Sequence, residues 1–412
     1  MVVIFIDKKK NAAMYKDYYN YVYQCNSEYF KENFIERIGF AMIIGALLFL
    51  TSCNKSTPDE LSIGKESILI YLIADNDLSD CVNFTVESIY EGVKQSPLGS
   101  EVLLYVDSNT DKPYLKKISR DLDGKLYETQ IITYEEQIST SSSVMEQVLS
   151  DMLTACTYSK YGLVIWSHGN GWYPGCVTSE VNTKWVGLDG SYSMNINTLK
   201  STISDIAHFD YILFDACYMG GIETFYELKD CADFIIASPS SVMAQGFPYH
   251  RILKYLQLGD AKGMIGACDQ YISFYKAAPD DYRYASICCV KCSEIDSLSS
   301  VVKCGLSESM LMSIDQLPKY QAFDGPGQYM YFDFLDYYSS IMNDGGESLR
   351  IQLDKTVLYK SSTPQVLAMN PEMPIPISND FCGISSYIPH QNQDFFNYCF
   401  FQTAWYNSIT NH

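Results

Sequence analysis

Two short apolar runs, each ending in a side chain able to do acid–base or nucleophilic work, constrain this chain more than any other feature. One is Gly162-Leu-Val-Ile-Trp-Ser-His-Gly169, the other Tyr211-Ile-Leu-Phe-Asp-Ala-Cys-Tyr-Met-Gly220. Runs this short, rich in β-branched and aromatic residues, suit buried strands of a parallel sheet. Two such strands side by side bring His168 and Cys217 to one carboxyl edge, where open α/β sheets keep their sites. Histidine lowers the pKa of a neighbouring thiol and shuttles its proton. The pairing therefore points to cysteine-dependent acyl transfer, most simply hydrolysis of a peptide bond.

The 412 residues suffice for a large core and, by size, two or three domains. A formal net charge of −20 argues against nucleic acid and anionic membrane surfaces as partners and favours basic ones, such as cationic peptides. The same acidity also serves simple solubility.

Ile38 to Leu50 is a thirteen-residue apolar run preceded by Lys31 and Arg37 and followed by Thr51-Ser52-Cys53. It is short for a bilayer span and ends in small residues, as export signals do. The ending resembles the lipobox of bacterial lipoproteins, which makes Cys53 the expected lipidated first residue of the mature chain. Residues 1–52 are accordingly set apart as a signal and pre-segment, and 53–66 as a tether, with membrane contact through the lipid alone. The expected location is outside the cytoplasm, on the outer membrane or cell surface. Setting Cys25 and Cys53 aside leaves twelve of the fourteen cysteines. Many sit in apolar runs without framework spacing, so few disulfides are expected. Cys289-Val-Lys-Cys292 lacks a second pair at zinc-site spacing and reads as strand.

Along the chain, strands are predicted at Ser67–Ala74, Glu101–Asp107, the His168 and Cys217 runs and Asp233–Ser238. Helices are predicted at Val82–Val93, Ser142–Ser159 (capped by Ser142 or Ser143), about Ile196–Ala207 and Ile222–Lys229. A polar hairpin fills 111–134, and a loop Asn170–Asp189. This alternation implies an α/β fold, a mostly parallel sheet with helices on both faces. Residues 67–250 are taken as the catalytic domain. Residues 251–412 are taken as a mixed α+β region packed on it or completing it. That region shows helical patterns near 250–276, 294–318 and 330–342, and strand patterns near 284–290, 350–358 and 382–388.

Several motifs together resemble the clostripain family of cysteine peptidases, relatives of caspases, legumains and gingipains. They are Leu69-Ile-Tyr-Leu-Ile-Ala-Asp-Asn-Asp-Leu78, Trp166-Ser-His-Gly-Asn-Gly-Trp172, Phe214-Asp-Ala-Cys-Tyr-Met-Gly220 and Ser238-Pro-Ser-Ser-Val-Met-Ala-Gln-Gly-Phe-Pro-Tyr249. Cys382-Gly-Ile-Ser-Ser-Tyr-Ile-Pro389 and Thr403-Ala-Trp-Tyr406 add to them. The resemblance implies a caspase-like sheet and cleavage after arginine or lysine. It assigns Cys217 as nucleophile, His168 as general base and acid, and the N–H groups of Gly169 and Cys217 as the oxyanion hole. Asp215, two residues before Cys217 and on the same strand face, is implied to line the primary specificity pocket, with Ser238 beside it. Ser241 departs from the family pattern, standing where an acidic residue is common. Family members are often cut in the loop after the histidine. Lys184 is the one basic residue between His168 and Gly190, so the Lys184–Trp185 bond is the expected processing site. No cofactor is required by this chemistry. Calcium is possible, with Asp75, Asn76 and Asp77 as one acidic turn, although such a turn is also an ordinary helix cap. Two rival readings remain at the sequence level: an inactive caspase-like binding lipoprotein, and an acyltransferase using the same dyad.

Overall fold

The computed structural model describes residues 66–172, 185–306, 310–325, 327, 329–369 and 373–410. β1 (Ser67–Ala74) and β2 (Glu101–Ser108) are buried at every position, as strands covered on both faces must be. β3 (Asp111–Arg120) and β4 (Leu126–Thr133) follow as the expected hairpin. Next come β5 (Tyr161–Trp166), a small separate hairpin of β6 (Trp185–Asp189) and β7 (Tyr192–Asn195), β8 (Phe209–Asp215) and β9 (Ala232–Ala237). β10 (Ser286–Lys291), β11 (Phe332–Asp333) and β12 (Val357–Ser362) lie in the second half of the chain.

Nine of these strands form one sheet in the order β12-β10-β9-β8-β5-β1-β2-β3-β4. The five central strands, β9 to β2, are mutually parallel. Antiparallel pairs extend the sheet at both margins. Strands from both halves of the chain thus share one sheet, with no seam at residue 250. Leu69, Tyr71 and Ile73 pack with Met145 and Leu149 of the helix Ser142–Ala155 in one core cluster. The alternate residues Ile68, Ile70 and Leu72 are equally buried, on the opposite face. Burial of each such side chain is worth about 1.5–3 kcal/mol, so the central strands are the most strongly held part of the fold.

Several expectations need correction. The helix Ser142–Ala155 is preceded by Ser141, whose side chain makes no cap bond. The loop Asn170–Asp189 contains β6. The helical pattern at 250–276 is two helices, Tyr249–Leu256 and Ala261–Lys276. Between them Gly259 adopts a positive φ of 62°, and Asp260 caps the second helix by accepting from Gly263 N–H at 2.8 Å. Within 350–358, residues up to Thr356 belong to the helix Glu347–Thr356, which buries Leu349, Gln352, Leu353 and Thr356 along one stripe. Only from Val357 does the chain become strand. The strand expected at 382–388 shrinks to Ser385–Ser386, paired with β11.

Candidate active site

The sheet register brings the two motifs together. Trp166 of β5 lies opposite Asp215 of β8, and Ser167 N–H donates to Asp215 O at 3.3 Å. Two residues further along each strand come His168 and Cys217, so parallel pairing delivers imidazole and thiol to the same edge.

Gly169 fixes their separation. A Cβ at this position would fall 2.9 Å from both the Ala216 methyl and the Cys217 carbonyl oxygen, so any larger residue would push the two strand ends apart. The backbone around Gly169 is held by β6: Gly187 N–H donates to His168 O at 2.9 Å, and Asn170 N–H to Trp185 O at 3.1 Å. Among the described residues, neither Gly169 N–H nor Cys217 N–H has an acceptor, whereas Tyr218 N–H donates to Ser240 O and Gly220 N–H to Ser238 O. Two unengaged N–H groups beside a nucleophile are what a developing oxyanion requires.

The Cys217 thiol is partly enclosed by the loop after β9. Val242 N–H donates to Cys217 Sγ at 3.2 Å, and Ser241 stabilises the thiolate to a smaller degree. Burial outweighs both and pushes the thiol up to about 11. Nor does a helix N-terminus, which lowers a thiol, offset this. The helix Ile222–Leu228 starts five residues on and is only seven residues long, and helix-end effects fade within one turn. Tyr218, next in the chain, holds a positive φ of 57°, stacks on Tyr331 with ring centroids 4.5 Å apart and accepts a hydrogen bond from Ser241 at 2.9 Å.

His168 has a partner that the sequence did not disclose. Its Nε2 lies 2.6 Å from Asp77 Oδ1, in the turn after β1. That hydrogen bond, ahead of the opposing effect of partial burial, holds the Asp77 carboxyl below its ordinary value. An ionised carboxylate only accepts, so in this contact Nε2 carries the proton, and in the neutral ring Nδ1 has none. Asp77 thereby fixes tautomer and ring orientation. Asp77→Asn is expected to lower kcat about 10–100-fold with KM nearly unchanged, and Asp77→Glu to restore part of it. Wild-type kcat in Asp77→Asn would show the contact to be incidental.

Asp215 is buried to 3 % exposure. Its Oδ2 accepts from Phe247 N–H and from the Tyr249 hydroxyl, each at 2.9 Å. Burial dominates these bonds and raises the carboxyl to about 7. No described basic side chain pairs with it. Gly246, at a φ of 63°, presses on the carboxylate, where a Cβ would sit 2.6 Å from Oδ2. Ser238 is fully buried. Its hydroxyl lies 3.0 Å from Ser286 Oγ and 3.3 Å from Ser240 Oγ, so it braces the loop over the thiol and presents no free hydroxyl to a pocket.

The turn Asp75–Asp77 does not fit a calcium site. Asn76 Nδ2 donates to Ile73 O and Leu188 O and its Oδ1 accepts from Leu78 N–H, while Asp77 serves His168. Among the described residues, no group of three or more His, Cys, Asp or Glu side chains is placed to hold a metal ion. Cys288, Cys289 and Cys292 are buried free thiols. No described helix is long and apolar enough to cross a membrane. Cys53 and Lys184 lie outside the described residues.

A cysteine and a histidine carried to one edge of an open α/β sheet by adjacent parallel strands, the histidine hydrogen-bonded to a carboxylate, are the residue types that cysteine proteases use. Comparison with known proteins takes this further. The chain belongs to the clostripain family, whose family model matches residues 70–407. It is 21 % identical to clostripain of Hathewaya histolytica over 437 aligned positions, covering 84 % of this chain and 80 % of that protein. An inactive zymogen of a C11 protease from Parabacteroides distasonis has a similar structure: TM-score 0.74, 27 % identity, 84 % of this chain and 99 % of that one. A secreted C11 cysteine protease from Bacteroides thetaiotaomicron, solved with an irreversible peptide inhibitor, matches with TM-score 0.74, 26 % identity and the same coverage. The protein is thus a cysteine protease acting on peptide or protein substrates.

Proposed function

We propose that this protease cleaves peptide bonds on the carboxyl side of lysine or arginine, using Cys217 and His168 as a dyad. The supporting observation is the register that places His168, Cys217 and Asp215 on one sheet edge, with Asp215 two residues before the nucleophile and no basic partner of its own. The Cys217 proton passes to His168 Nδ1 as sulfur attacks the scissile carbonyl carbon. The N–H groups of Gly169 and Cys217 receive the oxyanion. Collapse breaks the C–N bond, and His168 returns the proton to the leaving amine. Water, deprotonated by His168, then hydrolyses the thioester and frees the thiol. The test is mass spectrometry of a denatured protein digested by the purified enzyme. New carboxyl termini at lysine or arginine support the reading, and termini at acidic or apolar residues refute it.

We further propose lipidation at Cys53 and self-cleavage at Lys184–Trp185. The first rests on the Leu50-Thr-Ser-Cys53 ending, the second on Lys184 being the one basic residue between His168 and Gly190. Intact-mass analysis of the membrane-derived protein reads both. An acylated fragment beginning at Cys53 and a second beginning at Trp185 are expected. A soluble single chain of unmodified mass contradicts both proposals.

A further inference from the structure

The two strand ends that carry His168 and Cys217 are tied together from the second half of the chain. Tyr331 directly precedes β11 and is fully buried. Its hydroxyl donates to Asn170 O at 2.7 Å and lies 3.0 Å from the Asn170 side-chain oxygen, two residues after His168. Its ring stacks on Tyr218, the residue after Cys217, with centroids 4.5 Å apart and planes inclined by 18°. One side chain therefore holds the exits of both motifs. The adjoining Met330 adds to the histidine side, its carbonyl accepting from Trp172 Nε1 at 3.4 Å.

Tyr218 needs such a hold. A φ of 57° is a sparsely populated state for a residue other than glycine, and it persists only where the surroundings over-determine it. The stack on Tyr331 is one constraint. Two more come from the loop after β9, where Tyr218 N–H donates to Ser240 O at 3.0 Å and the Ser241 hydroxyl donates to Tyr218 Oη at 2.9 Å. Gly171 packs against the same turn, where a Cβ would fall 2.3 Å from Tyr218 O. The two exits are in backbone contact, and a shift in one moves the other.

Tyr331 is itself fixed on both sides. Phe323 N–H donates to Tyr331 O at 2.9 Å, and the buried Asp324 carboxyl accepts from Met330 N–H at 2.7 Å. Beyond Tyr331, β11 pairs with Ser385–Ser386, and Ser385 N–H donates to Gly220 O at 2.9 Å. The path closes back on the segment that begins at Cys217, so the ring and its hydroxyl have little freedom to follow a displaced partner.

We propose that Tyr331 is a positioning residue for the dyad, its hydroxyl setting the His168 end through Asn170 and its ring setting the Cys217 end through Tyr218. This rests on Cys217 and His168 being the dyad.

The test compares wild type with Tyr331→Phe, which keeps the ring, and Tyr331→Leu, which loses ring and hydroxyl. The substrate is a fluorogenic peptide copied from a site that the enzyme cuts in a denatured protein. A chloromethyl ketone of the same sequence counts reactive sites, so that kcat refers to folded enzyme alone. The kcat per titrated site is expected to fall about ten-fold in Tyr331→Phe and about a hundred-fold in Tyr331→Leu, with KM within about two-fold of wild type, since displacing reacting groups by about 1 Å costs on that order. A side chain that only stabilised the fold would lower the number of titrated sites and leave kcat per site unchanged. Wild-type kcat per site in Tyr331→Phe overturns the inference, and Tyr331→Phe, differing by one oxygen, keeps that test open should Tyr331→Leu fail to fold. A raised KM at unchanged kcat overturns it as well, placing Tyr331 against substrate instead. Equal losses in the two variants overturn the part given to the ring. An active Cys217→Ala removes the dyad and this inference with it. An inactive Cys217→Ala beside an unimpaired Tyr331→Phe removes this inference alone.

Discussion

Cys217→Ala is expected to abolish peptide hydrolysis, lowering kcat by at least about 10⁴-fold, while the chain melts close to wild type. The stability side follows from how little the sulfur holds: its hydrogen-bond contacts are Val242 N–H at 3.2 Å and Val242 O at 3.7 Å, with Ser241 contributing weakly. Removing one partly buried thiol with such partners costs about 1 kcal/mol or less. The activity side follows from position: of the described cysteines, Cys217 is the one that stands two residues past β8, in register with His168 two residues past β5. Cys231, Cys268, Cys288, Cys289, Cys292, Cys382 and Cys399 are buried, and burial raises most of these thiols further. Hydrolysis that survives in Cys217→Ala and disappears when another cysteine is replaced would move the nucleophile elsewhere. A related outcome concerns the resting thiol. Because burial pushes it up to about 11, it is mostly protonated at neutral pH. Iodoacetamide should label the free enzyme slowly at pH 7 and faster as pH climbs toward 11. A labelling rate already at its plateau at pH 7 would show that His168 stabilises the thiolate before substrate arrives.

The sheet and its edge were legible because the signal is local. Each central strand is a short apolar run, buried at every position in β1 and β2, and the runs before His168 and Cys217 end in the residues to which the chemistry was assigned. Contacts between distant segments were not legible. Asp77 meets His168 across 91 positions, and in sequence it is one acid in a polar turn, which capping explains equally well. The run Leu349 to Tyr359 misled because a helix passes straight into a strand at Val357, so neither period dominates. The helices Asp394–Phe401 and Ala404–Thr410 escaped notice because phenylalanine and tyrosine crowd the first of them around its circumference. The direction of the Cys217 shift was also hidden, since it depends on the loop Ser241–Val242 folding over the thiol from outside its own strand.

Asp215→Asn should then separate specificity from catalysis. With the dyad intact, kcat/KM on basic substrates is expected to drop at least about thirty-fold, the loss that follows when a buried cation keeps its site and loses its counter-charge. Activity on a peptide with an uncharged residue before the cleaved bond should hold. The sign of the pH effect comes from the raised carboxyl. Burial places Asp215 at about 7, so the empty pocket is neutral below that pH and anionic above it. For cationic substrates kcat/KM should therefore rise with pH through about 7. For the uncharged peptide the same rise, beyond any due to the dyad, should be missing, and it should vanish for all substrates in Asp215→Asn. Stability moves the other way. A carboxyl raised in the folded state binds its proton more tightly there than in the unfolded chain, so the native state loses stability as pH rises through 7. Asparagine can accept from Phe247 N–H and Tyr249 without carrying charge, and Asp215→Asn is accordingly expected to melt no lower than wild type at pH 8. Unchanged kinetics on lysine and arginine substrates in a folded Asp215→Asn protein would mean that the basic side chain is recognised elsewhere. The buried carboxylate would then be a brace for the loop that carries Gly246 and Phe247.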